Sequence, residues 1–281
     1  MNNEKKENFD LVTLKSGHMS IRLSNTRQTF HPGIGPLAEA NILHVQQQKL
    51  IERCSQPGKF IIWDVGFGAS ANAIVAIEAL KNCIAEVEIH SFEKSLDPIH
   101  FALEHAAELK YILPHVDQIQ KLIDKKTVQL SPRLSWHLQM GDFREQMLLP
   151  EIPRPNAIFY DPYSLTINIE LWTLDFFEKL RRCLDDSIPC MLTNYTRSTV
   201  MRVTWLLAGF YVGVGATIGE KEETTIATNH LDLLTMPLDQ KWLGRVKASQ
   251  SANPIRGNEQ TICPISAEDF ERLSKHPQFQ T

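Results

Sequence analysis

The chain has 281 residues, of which 43% are hydrophobic and 22% charged, and a net charge of −4 at pH 7. This length and composition predict one large α/β domain or two small ones, and no apolar run reaches the roughly 20 residues that a membrane helix needs. The slightly acidic balance argues against a protein that coats nucleic acid nonspecifically, although a local basic face would suffice for an enzyme that visits one stem-loop.

The cysteines and the N-terminus bear on the cellular compartment. Five scattered cysteines form no C-x-x-C pair, and no Cys/His cluster has the spacing of zinc ligands. The first ten residues are polar and charged and lack the apolar core of a secretory signal. We therefore expect a cytoplasmic protein with reduced thiols and no metal site.

The first predicted elements are a hairpin over residues 11–24, a Gly- and Pro-rich loop over 29–36 and a helix over 37–53. From residue 59 onward, strands and helices alternate. Strands are predicted at 59–65, 87–92, 133–139, 157–160 and 188–192, and helices at 70–81, 97–111, 170–183 and 198–207, with Ser70 and Asp97 as N-caps of the first two.

The end of the chain breaks this alternation. Segments 210–214 and 224–228 flank a turn and predict an antiparallel hairpin, and 244–281 reads as an irregular tail with one short helix near 267–273. Repeated βα units indicate a parallel sheet with helices on both faces. A closing antiparallel hairpin is typical of the Rossmann-like folds of methyltransferases that use S-adenosyl-L-methionine (SAM). The predicted fold class is therefore α/β, a Rossmann-like class I SAM-dependent methyltransferase fold with a mostly parallel sheet closed by an antiparallel hairpin.

A glycine-rich turn joins the first strand of this alternation to its helix. It contains Asp64, Gly66, Phe67, Gly68 and Asn72. Glycines let the backbone approach a ligand, and a helix N-terminus offers unpaired N–H groups. The order acid-x-Gly-x-Gly suits the aminocarboxypropyl tail of SAM, but the same glycines also satisfy the dinucleotide fingerprint of NAD-dependent oxidoreductases. A turn that merely permits tight packing is a third interpretation.

Acids follow the next two strands. Glu93 ends the second strand, where a carboxylate can accept both ribose hydroxyls of either cofactor, and Lys94 beside it is either part of the site or a solvated charge. Gly141, Asp142 and Phe143 follow the third strand. Asp142 can accept the adenine amino group, cap a short helix, or do both.

Asp161 follows the fourth strand, at the edge where open α/β sheets bind their ligands. Asp161-Pro162-Tyr163 resembles the Asp/Asn-Pro-Pro-aromatic motif of methyltransferases that act on nitrogen. In that chemistry a carboxylate orients the amine and can accept its proton, and an aromatic ring covers the acceptor. We predict Asp161 and Tyr163 as catalytic residues; a turn-forming Asp before Pro is the alternative.

Over about residues 26–230 the chain resembles the methyltransferase domain of the MnmC-type enzymes, which complete 5-methylaminomethyl-2-thiouridine at the wobble position of tRNA. The matching motifs occur in the same order: Gly35-Pro36-Leu37-Ala38-Glu39-Ala40, Gly66-Phe67-Gly68 with Asn72, Ser91-Phe92-Glu93-Lys94, Gly141-Asp142-Phe143, Asn168-Ile169-Glu170-Leu171-Trp172 after Asp161, Ala208-Gly209-Phe210, and Gly219-Glu220-Lys221-Glu222.

The resemblance implies SAM as the cofactor and methyl transfer to the primary amine of 5-aminomethyl-uridine in the tRNA anticodon stem-loop. It carries cofactor or catalytic roles over to Glu39, Gly66, Glu93, Asp142 and Asp161. The family's Gly-Thr-Gly is Gly68-Ala69-Ser70 here, and its Asp-Gly/Ala-Phe is Asp161-Pro162-Tyr163.

The sequence resembles a stand-alone form, because it carries no flavin oxidoreductase domain, so a separate oxidoreductase or modification enzyme is expected to act upstream. The predicted domains are an N-terminal extension at 1–55, the methyltransferase domain at 56–243 and a C-terminal tail at 244–281. Three alternatives stay open: a methyltransferase of another amine or small molecule, an NAD-dependent oxidoreductase, and a non-catalytic SAM- or RNA-binding module.

Overall fold

The computed structural model describes residues 8–31, 33–219 and 222–280, which divide into two compact units. The first lies within Met1–Gln146 and Thr217–Glu222, and the second within Met147–Ala216 and Glu223–Thr281. No helix in the described ranges is long and apolar enough to cross a membrane. The predicted domain boundaries at 55 and 243 stay predictions.

The first unit begins with the predicted hairpin, formed by antiparallel β1 (Phe9–Thr13) and β2 (Met19–Leu23). The single helix predicted over 37–53 is wrong. The chain forms α1 (Pro36–Ala40), a π-helix (Asn41–Gln46) and α2 (Leu50–Arg53). Lys49, directly before α2, has φ 51°, a left-handed conformation that no α-helix contains, so the helix cannot run through it.

The remaining elements of the first unit build its sheet. They are β3 (Lys59–Val65), α3 (Ala71–Leu80), β4 (Glu86–Glu93), α4 (Asp97–Glu104), α5 (Ala106–Leu109), α6 (Val116–Lys125), β5 (Thr127–Ser131), β6 (Leu134–Met140) and α7 (Phe143–Gln146). The strand order is β5-β6-β4-β3; β3, β4 and β6 run parallel, and β5 is antiparallel to β6. The continuous apolar run of β3 is explained because the strand is buried on both faces.

Three local features of this unit differ from prediction. Ser70 is the N-cap residue of α3, as predicted, but its hydroxyl accepts no hydrogen bond from the helix. Asp97 is the first residue of α4 rather than its cap, and Ser95 Oγ accepts the Asp97 N–H at 3.1 Å instead. Helix α6 and strand β5, which lie between residues 111 and 133, were not predicted from the sequence.

The second unit contains β7 (Ala157–Tyr160), α8 (Leu174–Cys183), β8 (Met191–Asn194), α9 (Thr199–Leu207), β9 (Tyr211–Gly215), β10 (Thr224–Thr228), α10 (Gln240–Ala248) and α11 (Ala267–Ser274). Strand order is β7-β8-β10-β9, with β7 and β8 parallel and β10 antiparallel to both of its neighbours. The mostly parallel sheet and its closing antiparallel hairpin are therefore confirmed. Glu220 and Lys221 of the hairpin motif lie outside the described residues.

Two boundaries of the second unit differ from prediction. Helix α8 begins at Leu174 rather than residue 170, because Thr173 Oγ1 accepts the Phe176 N–H at 3.2 Å and caps the helix there. The C-terminal segment is more regular than expected. It contains α10 besides the predicted helix, and the buried Gln278 side chain bonds the backbone of Val212 and Leu238.

Candidate active site

The glycine-rich turn occupies the carboxyl end of β3 and leads into α3. Gly66 and Gly68 have φ of 93° and 49°, conformations that residues with a side chain rarely adopt. The N–H groups of Gly66 and Phe67 both donate to the Phe92 carbonyl at 3.2 Å, which ties the turn to the end of β4. A Cβ atom on Gly68 would lie 3.3 Å from the ring of Phe30. Both backbone conformation and space therefore favour glycine here.

Glu93, at the end of β4, joins the loops that follow two strands. Its Oε2 accepts the Gly68 N–H at 3.0 Å, and its Oε1 accepts the N–H groups of Lys94 at 2.8 Å and Ser95 at 3.3 Å. The Glu93 carbonyl accepts the N–H of Gly141, whose φ is 131°. Glu93 thus holds the turn after β3 beside the turn after β6, which brings three of the predicted cofactor segments together. The Lys94 side chain is exposed.

The end of the glycine-rich turn offers polar atoms to a ligand. Ser70 has φ 63°, and its buried Oγ has no hydrogen-bond partner within the described residues. Asn72 is buried in the first turn of α3. A buried hydroxyl and the unpaired N–H groups of a helix start suit the carboxylate and ammonium of an amino-acid tail. These residues therefore fit the tail of SAM.

Asp142 takes the capping role that the sequence left open, since its Oδ1 accepts the Arg144 N–H at 3.0 Å at the start of α7. The Arg144 guanidinium also forms a bidentate pair with it, at 2.9 and 2.5 Å. Hydrogen bonding from Arg144 lowers the pKa of Asp142, so the carboxylate is ionised at neutral pH. Because each carboxylate oxygen has two lone pairs, acceptor capacity remains for an adenine amino group.

Glu39 is buried in α1, and its Oε2 accepts the N–H of Gly33 at 3.4 Å. A Cβ on Gly33 would approach the same oxygen to 3.3 Å. Glu39 therefore supports the loop before α1, the loop that begins the first matching motif.

Three other predicted cofactor residues have side chains in the interior. Asp64 is buried, and its Oδ2 accepts the Ser91 hydroxyl at 2.7 Å. Phe67 packs edge-on against Trp136, and Phe143 packs against Phe92 with ring centres 4.8 Å apart. The buried Phe67 and Phe143 side chains hold their loops against the interior of the first unit.

In the second unit, Asp161 is half-buried directly after β7 and begins a loop that is tied down at several points. The Tyr160 hydroxyl donates to the Leu171 carbonyl, and burial raises the pKa of this phenol, which keeps it a donor. The Trp172 indole N–H donates to Asn168 Oδ1 at 3.2 Å. This bond gives a physical reason for the Asn and Trp of the matching motif, because together they close the loop after Asp161.

Sequence reasoning missed three residues that hold these loops. The hydroxyl of the half-buried Tyr111 donates to the Ala69 carbonyl at 3.1 Å and fixes the glycine-rich turn. At the end of β8, the Asn194 amide donates to the Tyr160 carbonyl, and the hydroxyl of the following Tyr195 donates to the Tyr163 carbonyl at 2.9 Å. The position of Asn194-Tyr195 at the end of a strand was the available signal; the partners of these two residues are more than 30 positions away in the chain.

Comparison with known proteins finds methyltransferases among the proteins that this chain is similar to. Residues 105–230 match a family described as S-adenosyl-L-methionine-dependent methyltransferase. A bifunctional protein of tRNA 5-methylaminomethyl-2-thiouridine biosynthesis, MnmC of Burkholderia multivorans, is 27% identical over 194 residues, which are 64% of this chain and 29% of that protein. An uncharacterized protein of Methanocaldococcus jannaschii is 23% identical over 226 residues, 80% of this chain and 60% of that one.

Among solved structures, MnmC2 of Aquifex aeolicus superposes with a TM-score of 0.72 at 24% identity, over 97% of this chain and 87% of that one. This likeness shows the fold. Together with the family match, it confirms the resemblance stated from the sequence and decides between SAM and NAD in favour of SAM. The chain spans less than two thirds of the length of the Methanocaldococcus and Burkholderia relatives.

Proposed function

We propose that this chain, an S-adenosyl-L-methionine-dependent methyltransferase related to the MnmC enzymes of tRNA modification, methylates the aminomethyl group of a modified wobble uridine in tRNA. The observation that carries the proposal is the Asp161 loop. Its acid stands at the carboxyl end of β7, a parallel strand, and hydrogen bonds from Trp172 and Tyr195 hold the loop that presents it. The role of the Burkholderia relative in tRNA 5-methylaminomethyl-2-thiouridine biosynthesis supports tRNA as the substrate.

The first unit supplies the cofactor contacts in this proposal. The turn from Gly66 to Asn72 holds the aminocarboxypropyl tail, Glu93 accepts the ribose hydroxyls, and Asp142 accepts the adenine amino group. When bound, SAM supplies an electrophilic methyl group on a sulfonium. The chain contributes preorganised backbone N–H donors in the glycine-rich turn and two carboxylate acceptors, Glu93 at the end of β4 and Asp142 just after β6.

Asp161 and Tyr163 act on the acceptor. An alkylammonium is protonated at pH 7 and has no lone pair, so it must lose a proton before it can attack a methyl group. The Asp161 carboxylate accepts that proton, directly or through one water, and aims the nitrogen lone pair. The ring of Tyr163 covers the acceptor and excludes water. An upstream oxidoreductase or other modification enzyme would provide the aminomethyl group.

The direct test is to incubate the purified protein with methyl-labelled SAM and tRNA that carries 5-aminomethyl-2-thiouridine, and to measure the nucleosides by mass spectrometry. We expect one labelled methyl group at the wobble nucleoside. Asp161→Asn is expected to lower kcat by about 10²–10⁴-fold, because a general base is lost. The exposed Asp232 of the same unit provides the control variant, Asp232→Asn, which should retain full activity.

Two results would contradict the proposal. If the protein binds SAM but leaves this tRNA unmethylated while methylating a small amine, the acceptor is not tRNA. If Asp161→Asn turns over at the wild-type rate, the catalytic assignment of Asp161 is wrong and the residue is a turn former.

A further inference from the structure

A polar cluster lies on one face of the first unit's sheet. Glu88 and His90 are two residues apart on β4, so their side chains share a face. His90 pairs in register with His137 on the neighbouring parallel strand β6. Within the described residues, these three side chains bring one ligand atom each to within 4.8 Å of one another.

We propose that Glu88, His90 and His137 bind a divalent first-row metal ion, with Zn²⁺ as the ion that their ligand types favour. Two imidazole nitrogens and a carboxylate are a common three-residue ligand set for zinc, with the fourth position left to water. The site is separate from the proposed cofactor contacts, because His90 lies three residues, about 10 Å along the strand, before Glu93.

Binding one ion requires one rearrangement of the cluster. In a tetrahedral site with bonds of 2.0–2.1 Å, neighbouring ligand atoms lie about 3.3 Å apart. His90 Nε2 and Glu88 Oε2 are already 3.2 Å apart. The two imidazole rings are nearly parallel, at 9°, with centres 4.6 Å apart, so their lone pairs point side by side. The half-buried His137 must therefore tilt out of the stack, and Glu88 must turn with it, before all three groups point at one ion.

Each histidine also has a partner for the nitrogen that would not bind the metal. The Gln139 side chain lies 3.2 Å from His90 Nδ1, and rotation of its amide would present the carbonyl oxygen as an acceptor. His137 has the hydroxyls of Ser135 at 2.9 Å and Thr127 at 3.2 Å, one on each ring nitrogen. Such partners orient metal-binding imidazoles and raise their basicity.

The charges around the cluster suit a bound cation, although the Lys59 ammonium competes with it for Glu88. Burial lowers the pKa of His90 to about 4 and also lowers the pKa of His137, so both imidazoles are neutral at pH 7 with a lone pair to offer. Burial alone would raise the pKa of Glu88, but hydrogen bonds from Lys59 and His90 lower it overall. The Lys59 ammonium lies 2.7 Å from Glu88, and its side chain is more than half exposed, so it can withdraw into solvent.

The test titrates ZnCl₂ into tag-free, EDTA-treated protein of full length by calorimetry. We expect one ion per chain. His137→Ala removes a metal ligand and should weaken Zn²⁺ binding by at least about 100-fold. Gln139→Ala removes only a hydrogen-bond partner of the ligand His90 and should weaken Zn²⁺ binding by about tenfold. Lys59→Met should tighten binding by about two- to fivefold, because the ammonium no longer competes for Glu88. Bound Co²⁺ should show visible d–d absorption that His137→Ala abolishes.

The matched control is His105→Ala, since His105 also faces a carboxylate, Glu108, at 3.6 Å but belongs to no such three-residue group among the described residues. It should bind Zn²⁺ like the wild type. Equal Zn²⁺ affinity in His137→Ala and His105→Ala, or weaker binding in Lys59→Met, would overturn the proposal. His137 and Glu88 are partly exposed, so His137→Ala and Glu88→Gln should remain folded, which circular dichroism checks.

Discussion

At the scale of single residues, the cofactor turn is shaped by backbone conformations that few side chains tolerate. Gly66 and Gly68 meet this demand, but Ser70 adopts a left-handed conformation with a side chain present. Such a conformation costs about 1–2 kcal/mol relative to a right-handed one. Ser70 stands where the resemblance places the last glycine of the family's Gly-Thr-Gly, and a glycine would adopt this conformation without that cost.

Ser70→Gly is therefore expected to stabilise the free protein by about 1 kcal/mol. It removes the strain and a buried hydroxyl without a partner, and the greater freedom of glycine in the unfolded chain offsets part of the gain. Ser70→Ala removes the hydroxyl but keeps the strain, so it should stabilise less. Urea unfolding of the three proteins measures both effects; a Ser70→Gly protein less stable than the wild type would contradict the expectation.

Glu93→Gln is expected to weaken the binding of SAM and S-adenosylhomocysteine by about 10- to 100-fold. The substitution replaces a charged acceptor of backbone and ribose donors with a neutral one, and hydrogen bonds to a charged group are worth about 1.5–3 kcal/mol. Calorimetric titration gives the dissociation constants. Glu86→Gln, at the exposed opposite end of β4, should bind both ligands like the wild type, and an equal loss in both variants would count against the ribose assignment.

At the scale of elements, each proposed functional loop is held by a residue from a distant part of the chain. Tyr111 fixes the turn after β3, and Tyr195, after β8, fixes the loop after β7. Parallel strands make this possible, because their carboxyl ends meet at one edge and place successive loops side by side. The loop after Asp161 is closed further by the Asn168–Trp172 bond.

Tyr195→Phe tests this support without touching the acid. The variant loses one hydrogen bond to the Tyr163 carbonyl, so its free energy of unfolding should fall by only about 1 kcal/mol. Misplacement of a catalytic loop by about 1 Å can lower kcat by about 100-fold. We therefore expect Tyr195→Phe to lower kcat by up to about 100-fold, with little change in the SAM dissociation constant. Steady-state kinetics with the tRNA substrate measures it. Wild-type kcat would show that the bond does not position the loop.

At the scale of the whole molecule, buried neutral histidines make stability depend on pH. Burial lowers the pKa of His276 to about 4, and its Nδ1 accepts the Gln278 N–H at 3.2 Å, which requires an unprotonated nitrogen. Burial also lowers the pKa of His44. In the unfolded chain both histidines take up a proton near pH 6.5. The stability that neutral burial provides is therefore complete above pH 6.5 and is lost as the pH falls toward 4.

For His276 this linkage amounts to about 2 kcal/mol of unfolding free energy between pH 7.5 and pH 5. The variant His276→Asn retains a side chain that can accept the Gln278 N–H but does not titrate. We expect the wild type to lose about 2 kcal/mol more than the variant over this range, as measured by urea unfolding at both pH values. Equal losses would mean that His276 is protonated as readily in the folded protein as in the unfolded chain.

Elements with local signals are predictable from the amino-acid sequence. The apolar run of β3, the glycines that follow it, the acid that ends β4 and the closing hairpin all follow from patterns within a few residues, and the structure has them where the patterns predict. Local patterns failed where backbone geometry depends on packing, as in the broken helix between Pro36 and Arg53.

Contacts between side chains that are distant in the chain depend on how the sheet and its loops fold. His90 and His137 are 47 positions apart, yet the register of β4 and β6 stacks their rings. Tyr195 reaches Tyr163, and Gln278 reaches Val212, through the same kind of long-range placement. Strand register and loop closure are properties of the folded sheet and are not encoded in any short segment. For this reason the sequence indicated the cofactor chemistry of the chain but not the residues that support its loops or the cluster proposed to bind metal.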